Sequence, residues 1–166
     1  MLYLLVLLPA LAARAQKVET NVGGNWVEIP ACQTQSELRP GWKIVDYQMK
    51  SRLTRYLSGG RATQLADDSR PVFRITLADK EVLTDYCIIR LKAFKDYRKM
   101  VRPLPIENNY TRLELSTFDI KADSEAFICQ PRHWLKAGEY ILVSLKSRPI
   151  GELGDLMVYP FSVWKE

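Results

Sequence analysis

The chain contains 166 residues, of which 47% are hydrophobic and 26% are charged, and its formal net charge is +5. This length corresponds to about one domain with a substantial core. The composition excludes a disordered chain, a collagen, a coiled coil and a small disulfide scaffold, because aliphatic residues are plentiful and Cys number only 3. An ordinary transmembrane protein is also excluded, since no apolar run reaches the roughly 18 to 20 residues that a membrane-spanning helix needs.

The N-terminal segment has the pattern of a cleavable export signal. Residues 2–12 read LYLLVLLPALA, and the small-x-small sequence ARA at 13–15 precedes the polar chain that starts at Gln16. This order is typical of a signal peptide, and the alternative is a buried N-terminal strand or helix. We expect residues 1–15 to be removed and residues 16–166 to form one exported domain, in the periplasm or outside the cell.

The three cysteines, Cys32, Cys87 and Cys129, are an odd number, so at most one intrachain disulfide can form. None of them has the C-x-x-C spacing of a redox motif or a zinc ribbon. Two interpretations remain open for Cys87 and Cys129. They are either small buried hydrophobic residues, which we favour, or partners in a single bridge.

The first half of the chain is polar and rich in turns, with one short predicted strand at 26–29. Residues 42–58 fit two structures. Their branched and aromatic start favours a β-strand, whereas Trp42, Val45 and Met49 also recur at helical spacing. We favour the strand and keep an amphipathic helix as the alternative, and Gly59-Gly60 ends the segment in either case.

From residue 71 onward the pattern is mostly that of β-strands. Asp79-Lys80-Glu81 predicts a turn that joins the first two of these strands in a hairpin. On the second strand, Leu83, Cys87, Ile89 and Leu91 are expected on one side, and Tyr86 and Ile88 on the other. Short strands at regular spacing predict an all-β, two-layer antiparallel β-sandwich. The predicted strands are 71–78, 82–94, 111–118, 125–130, 139–146 and 157–164.

Residues 135–142 read LKAGEYIL, in which Leu135, Gly138 and Tyr140 form an L-x-x-G-x-Y pattern. This pattern resembles the tyrosine corner of immunoglobulin-like sandwiches, where a Tyr opens strand F and its hydroxyl returns to the upstream backbone. The resemblance implies an Ig-like sandwich in which Tyr140 is the corner residue. Leu142 stands where antibody domains have Cys, so the inter-sheet disulfide of that family is not implied.

The resemblance covers about the last 40 residues. It makes 125–130 strand E, 139–146 strand F and 157–164 strand G. The layout of a leader, a β-rich body and a terminal aromatic strand is also similar to that of small exported sandwich proteins of Bacteroidetes-type bacteria, and this similarity implies no particular activity.

No catalytic or metal-binding constellation emerges from the sequence. His133 is the one histidine, and Pro131 between it and Cys129 breaks the helical geometry that a helix-face metal site would need. The acidic pairs lie in turn-like stretches, where carboxylates are usually solvated. These acids are Asp67 and Asp68, then Asp119, Asp123 and Glu125, and finally Glu152 and Asp155.

Residues 90–102, RLKAFKDYRKMVR, have the strongest local charge bias, with interleaved aromatic residues. Such a segment suits phosphates, anionic glycans, lipid headgroups or an acidic protein. The alternative is a solvated hairpin end whose lysines protect an edge strand. The candidate binding residues here are Arg90, Lys92, Lys95, Tyr97, Arg98, Lys99 and Arg102.

A second candidate surface lies on the strand at 139–146. If Tyr140 and Leu142 point into the sandwich, then Ile141, Val143 and Leu145 point outward as an apolar stripe. Such a stripe requires cover, either from residues 42–58 of the same chain or from another protein.

We therefore predict an exported, non-catalytic module that binds another envelope protein or an anionic glycan. We expect no cofactor, no metal ion, no nucleic-acid partner and no transmembrane segment once the leader is removed. The alternative is a carbohydrate-active hydrolase of the cell envelope that uses two loop carboxylates. A nucleic-acid binder would require that the leader be retained and that the protein be cytoplasmic.

Overall fold

A computed structural model of the chain describes residues 16–39, 42–44, 47–49, 52–66, 68–77, 82–103, 113–118, 126–144 and 156–164. These residues form β-strands and one 3-10 turn, Leu83–Asp85, and no α-helix occurs among them. The strands are β1 (Lys17–Val22), β2 (Asn25–Glu28), β3 (Cys32–Gln33), β4 (Gln35–Arg39), β5 (Trp42–Ile44), β6 (Tyr47–Met49), β7 (Arg52–Ser58), β8 (Leu65–Ala66), β9 (Phe73–Thr76), β10 (Tyr86–Ala93), β11 (Tyr97–Pro103), β12 (Leu113–Phe118), β13 (Ala126–Pro131), β14 (Gly138–Ser144) and β15 (Met157–Val163). The fold is therefore all-β, as the sequence predicts.

Two sets of antiparallel strands make up the body. One runs in the order β1-β9-β13-β12 and the other in the order β10-β14-β15. They are joined where Cys87 and Ile88 of β10 pair with β12. On the far side, β15 pairs in parallel with β8, which lies beside β1. The body is consequently curled nearly into a barrel.

β10 has a different neighbour at each end of one edge. β14 occupies its other edge along residues 86–91. The shared edge pairs with β12 at residues 87 and 88 and with β11 at residues 92 and 93. From β11 the sheet continues through β7 to β4, and we call these three strands the wing. The strands β5 and β6 form a separate pair.

The predicted hairpin between the strands at 71–78 and 82–94 is wrong. β9 pairs with β1 and β13, whereas β10 pairs with β14, β12 and β11. Both edges of β9 are thus occupied by other strands, and the chain crosses from one strand set to the other between β9 and β10. The predicted turn at 79–81 lies outside the described residues.

Residues 42–58 adopt the strand alternative rather than the helix, because their described residues belong to β5, β6 and β7. The predicted strands at 125–130 and 157–164 correspond within one residue at each end to β13 and β15.

Two apolar clusters form on opposite faces of β10 and β14. The first cluster lies inside the curled body and the second lies between that body and the wing. β10 supplies both in strict alternation, as predicted, with Tyr86 and Ile88 in the first cluster and Cys87, Ile89 and Leu91 in the second. Leu83 packs against the first cluster instead of the second, because it belongs to the 3-10 turn, where the strand alternation has not yet begun. Other members of the first cluster are Val18, Phe73, Ile75, Cys129, Leu135, Tyr159, Phe161 and Val163.

The apolar stripe on β14 is not an open binding surface. Ile141 and Val143 are 1% and 0% exposed and belong to the second cluster. Of the two covers predicted for this stripe, the burial favours the one from residues 42–58 of the same chain. Their cover is intramolecular, from Leu57 of β7 together with residues of β10, β11 and β15. Leu145, the third predicted member, lies outside the described residues.

The three cysteines, all among the described residues, are thiols rather than members of a disulfide. Cys87 belongs to the second cluster and Cys129 to the first, so the core separates them, and they occupy the positions of small buried hydrophobic residues. Burial raises the pKa of the Cys129 thiol to about 12, so this sulfur is neither a ready nucleophile nor a ready metal ligand.

The bend that precedes β14 is closed by Tyr140. Its ring is 2% exposed and stacks on Phe161 with centroids 5.6 Å apart. Its hydroxyl donates to the carbonyl oxygen of Lys136 at 2.6 Å, which satisfies the one polar group of the buried ring. Gly138 permits the turn with a φ of 153°, and Leu135 is buried beneath it. Burial raises the pKa of the Tyr140 phenol.

In the part of the chain that the structure describes, no helix has the length and apolar character to cross a membrane.

Candidate functional site

An open depression of about 1110 Å³ lies at the end of the β10–β11 hairpin. Three segments form it: the turn after β7, the hairpin itself, and the adjoining ends of β14 and β15. The lining residues are Gly60, Arg61, Arg90, Leu91, Lys92, Ala93, Phe94, Lys95, Gly138, Glu139 and Trp164.

The turn after β7 packs directly on the hairpin turn. The Gly59 N–H donates to the carbonyl oxygen of Asp96 at 2.9 Å. A Cβ on Gly60 would lie only 2.4 Å from the carbonyl oxygen of Phe94, so only glycine permits this backbone approach. The close contact brings Arg61, far away in sequence, to the same place as the basic hairpin.

Four exposed cations line the depression: Arg61, Arg90, Lys92 and Lys95. Two of them lie over aromatic rings. The Arg61 guanidinium carbon is 4.2 Å from the centre of the Trp164 ring, and Lys92 Nζ is 5.5 Å from that of Phe94. Cation–π contacts of this kind hold the charged groups at fixed places without neutralising them.

Arg90 is anchored differently. Its Nη2 donates to the carbonyl oxygen of Ala137 at 2.9 Å, and its guanidinium lies beside Gly138, where a Cβ would come within 3.2 Å of it. The bend that precedes β14 thus holds an arginine at the edge of the depression.

Lys99 and Tyr97 lie next to the depression on β11. Lys99 Nζ is 4.7 Å from the centre of the Phe94 ring. Tyr97 is half-buried, stacks on Phe94 at 4.7 Å and meets the edge of Tyr56 at 5.8 Å. Tyr97 therefore supports Phe94 by packing, and its ring is not a free stacking surface.

Arg98, one of the predicted binding residues, is buried rather than exposed in the depression. Arg98 is 5% exposed and faces Glu139, itself 2% exposed, with Nη1 and Oε2 3.4 Å apart. The alternation on β11 explains its burial: Arg98 and Met100 face the second cluster, whereas Tyr97 and Lys99 face the other way. Arg102 also lies on β11, paired with Leu53, and its side chain is outside the described residues.

Glu139 is a functional candidate that sequence reasoning missed. Its carboxylate accepts from the Ala62 N–H at 2.8 Å and from the Ser162 hydroxyl at 2.6 Å, in addition to facing Arg98. The available signal was its phase, because Glu139 shares its side of β14 with the buried Ile141 and Val143. An acid in a buried phase requires internal partners.

Of the predicted basic residues, the fold brings Arg90, Lys92 and Lys95 to the depression. It adds Arg61 and Trp164, which the sequence analysis did not single out. Gly59-Gly60 marked the turn before Arg61, but nothing local indicated which strand this turn would meet.

Among the lining residues, Glu139 is the one acid, and it faces Arg98 rather than a second carboxylate. Asp68 lies elsewhere and accepts from the Arg70 N–H at 3.2 Å within its own turn. The other acids of the predicted pairs lie outside the described residues. His133 is exposed, and the described residues contain no group of His, Cys, Asp and Glu that is arranged to hold a metal ion.

Comparisons with protein-family models, with curated proteins and with solved structures give no match. The class of the molecule therefore follows from its own geometry: an all-β body that carries a wing, with a cationic depression where the two meet.

Proposed function

We propose that the protein is an exported binding module that holds an anionic glycan in the depression. The observation that carries this proposal is the convergence of Arg61, Arg90, Lys92 and Lys95 from separate segments on one open surface. Converging cations create a positive potential that attracts and orients a polyanion.

The pairing of Lys92 with Lys99 supports the proposal. The two residues are direct partners on neighbouring strands, and both ammonium groups lie over Phe94. Like charges directly opposite each other destabilise a sheet. A surface that retains such a pair gains from an anion that bridges the two ammonium groups.

The character of the depression favours a glycan over an acidic protein. Protein–protein interfaces have apolar centres that are depleted in lysine. Here Lys92 and Lys95 occupy the lining, and the apolar stripe that would have served a protein partner is buried under the wing. The depression is open to solvent, so a polymer can extend beyond it.

The proposal includes an immunoglobulin-like origin for the body. In that fold the sheets have the strand orders A-B-E-D and C-F-G, and a corner Tyr opens strand F. The orders β1-β9-β13-β12 and β10-β14-β15 support this assignment, with Tyr140 near the start of β14. The wing and the other strands from β2 to β8 would then be additions to the family's core.

Export remains a part of the proposal that depends on the leader-like sequence at 1–15, which lies outside the described residues. Mass spectrometry of the intact protein recovered from an expressing cell tests it. A mature chain that begins at Gln16 supports export, and a chain that retains the leader in the cytoplasm contradicts it.

The binding proposal is tested with calorimetry on dextran sulfate, with uncharged dextran and poly-L-glutamate as comparisons. We expect dextran sulfate to bind, and its affinity to fall by about tenfold or more between about 50 and about 200 mM salt. The double variant Lys92→Gln/Lys95→Gln should weaken binding by about tenfold, because it removes two contacting charges.

Lys136→Gln is the matched control, since Lys136 is an exposed lysine that does not line the depression. Equal loss in this control, or binding that salt does not change, would overturn the proposal. Tighter binding of poly-L-glutamate than of dextran sulfate would replace the glycan with an acidic protein.

A further inference from the structure

The buried pair formed by Arg98 and Glu139 lies directly beneath the turn that carries Arg61. Arg98 Nε donates to the carbonyl oxygen of Gly59 at 3.0 Å, and its Nη2 donates to that of Ser58 at 3.1 Å. From the other end, the Ala62 N–H donates to Glu139 Oε2 at 2.8 Å. The backbone is thus held two and three residues before Arg61 and at the residue directly after it.

The arginine fork is essential to this arrangement. Its planar guanidinium offers several donors in a fixed geometry, and here two of them hold successive carbonyl oxygens while a third faces the carboxylate. The ammonium of a lysine would keep the charge but could not present the same fork. Ser162 donates to Glu139 Oε1 at 2.6 Å and fixes the other side of the carboxylate.

From these contacts we infer that Arg98 and Glu139 are positioning residues that set the place of Arg61 over Trp164 and thereby the affinity of the depression for an anion. The inference rests on the proposed function for its link to a ligand. Neither residue needs to touch the ligand, because Arg98 is 5% exposed and Glu139 is 2% exposed. They act by fixing in advance a charge that would otherwise have to be ordered on binding.

A double-mutant cycle with dextran sulfate as the probe tests the inference. Arg61→Ala should weaken binding about fivefold, since it removes one exposed charge. Arg98→Lys should weaken binding roughly threefold in the natural background but leave the affinity of the Arg61→Ala protein nearly unchanged. An equal effect in both backgrounds would show that Arg98 does not act through Arg61.

The matched control is Arg55→Lys. Arg55 is a second buried arginine, 2% exposed, and lies on β7 three residues before Ser58. Arg55→Lys makes the same chemical change as Arg98→Lys in the same sheet, so a general destabilisation of the wing would affect both variants alike. We expect Arg55→Lys to lower the melting temperature without changing the affinity, and an equal loss of affinity in this control overturns the inference.

A second readout needs no ligand. The indole N–H resonance of Trp164, assigned by its absence in Trp164→Phe, reports the guanidinium that lies over the ring. It should shift in Arg61→Ala and shift in the same direction in Arg98→Lys and Glu139→Gln, but not in Arg55→Lys. Glu139→Gln keeps the side-chain shape and serves if Arg98→Lys folds poorly.

The two readouts separate the two proposals. If the protein binds no polyanion but the Trp164 resonance moves as described, the proposed function fails and the positioning role stands. If dextran sulfate binds but the resonance of Trp164 is unchanged in Arg98→Lys and Glu139→Gln, the positioning role fails and the proposed function stands.

Discussion

The two faces of β14 bury side chains of very different character. Tyr140 and Leu142 face the first cluster, which packs aromatic rings against aliphatic groups inside the curled body. On the other face, Ile141 and Val143 share their side of the strand with Glu139. The second cluster thus ends in a buried ion pair, and that pair lies next to the depression. The polar groups buried here hydrogen-bond the backbone of the turn after β7, whereas the first cluster consists of aliphatic and aromatic side chains and Cys129.

The largest expected effect is the loss of stability caused by a substitution in the first cluster. Phe161 is fully buried and contacts Phe73 and Tyr140, with ring centroids 5.1 and 5.6 Å away. Phe161→Ala should reduce the free energy of unfolding by about 4 kcal/mol, because it removes a large apolar group and leaves a cavity. Urea unfolding measures this loss. If the clusters have separate roles, the remaining folded protein should bind dextran sulfate with unchanged affinity.

In the second cluster we expect a smaller loss in the free energy of unfolding than in the first cluster, together with a loss of affinity for dextran sulfate. Arg98→Met leaves Glu139 as a buried charge without its cation, which should cost about 3 kcal/mol in the free energy of unfolding. Adding Glu139→Leu should recover part of that loss, since it removes the uncompensated charge. Affinity should stay low in the double variant. Full recovery of affinity would contradict the separation of roles.

Removing the hydroxyl of Tyr140 tests the first cluster with a smaller expected loss of stability. Tyr140→Phe keeps the ring and removes the hydrogen bond to Lys136, so we expect a loss of about 1 kcal/mol in the free energy of unfolding. The loss in the free energy of unfolding is compared with that of Tyr159→Phe, which removes the hydroxyl of another tyrosine in the same cluster. A neutral effect of Tyr140→Phe would show that the bend is held by Gly138 and Leu135 rather than by the hydroxyl.

The smallest effect concerns alkaline pH. Desolvation raises the pKa of Cys129 from its ordinary 9.0 to about 12. Because the unfolded state loses this proton first, the stability that the buried thiol contributes is full below about pH 9 and falls as pH rises toward 12. Urea unfolding at about pH 8 and about pH 9.5 measures the difference. Cys129→Ala should reduce this pH dependence, and Tyr140, whose pKa is also raised, should contribute the remainder in the same direction.

The strands of the C-terminal third were predictable because each is a short run rich in apolar, β-branched and aromatic residues, and such a run indicates where a strand lies along the chain. The hairpin from 71–78 to 82–94 was wrong for the complementary reason. A turn signal reports only the immediate chain, whereas the neighbours of β9 and β10 are chosen by which faces they bury.

The candidate site was predictable only in part. Charge bias located Arg90, Lys92 and Lys95, because a dense run of cations stays near the surface wherever the strand lies. It misplaced Arg98, although Met100 in the same phase indicated the buried side of β11. Arg61 had no local signal, and Trp164 was predicted only as part of the terminal aromatic strand at 157–164. They reach the depression through the contact of the Gly60 turn with Phe94 and through the end of β15.

One edge of β10 pairs with β12 at residues 87 and 88 and with β11 at residues 92 and 93, so this strand connects the two parts of the molecule. Because this strand belongs at once to the curled body and, through β11, to the wing, separating the wing from the body breaks the pairing of β10 with β11. Amide hydrogens in the middle of β10 should therefore exchange with solvent only when the whole domain unfolds, whereas those of β4, at the outer border of the wing, should exchange through local fraying. A force on the wing would reach the body through the pairing of β10 with β11 and through the contact of Arg98 with Glu139.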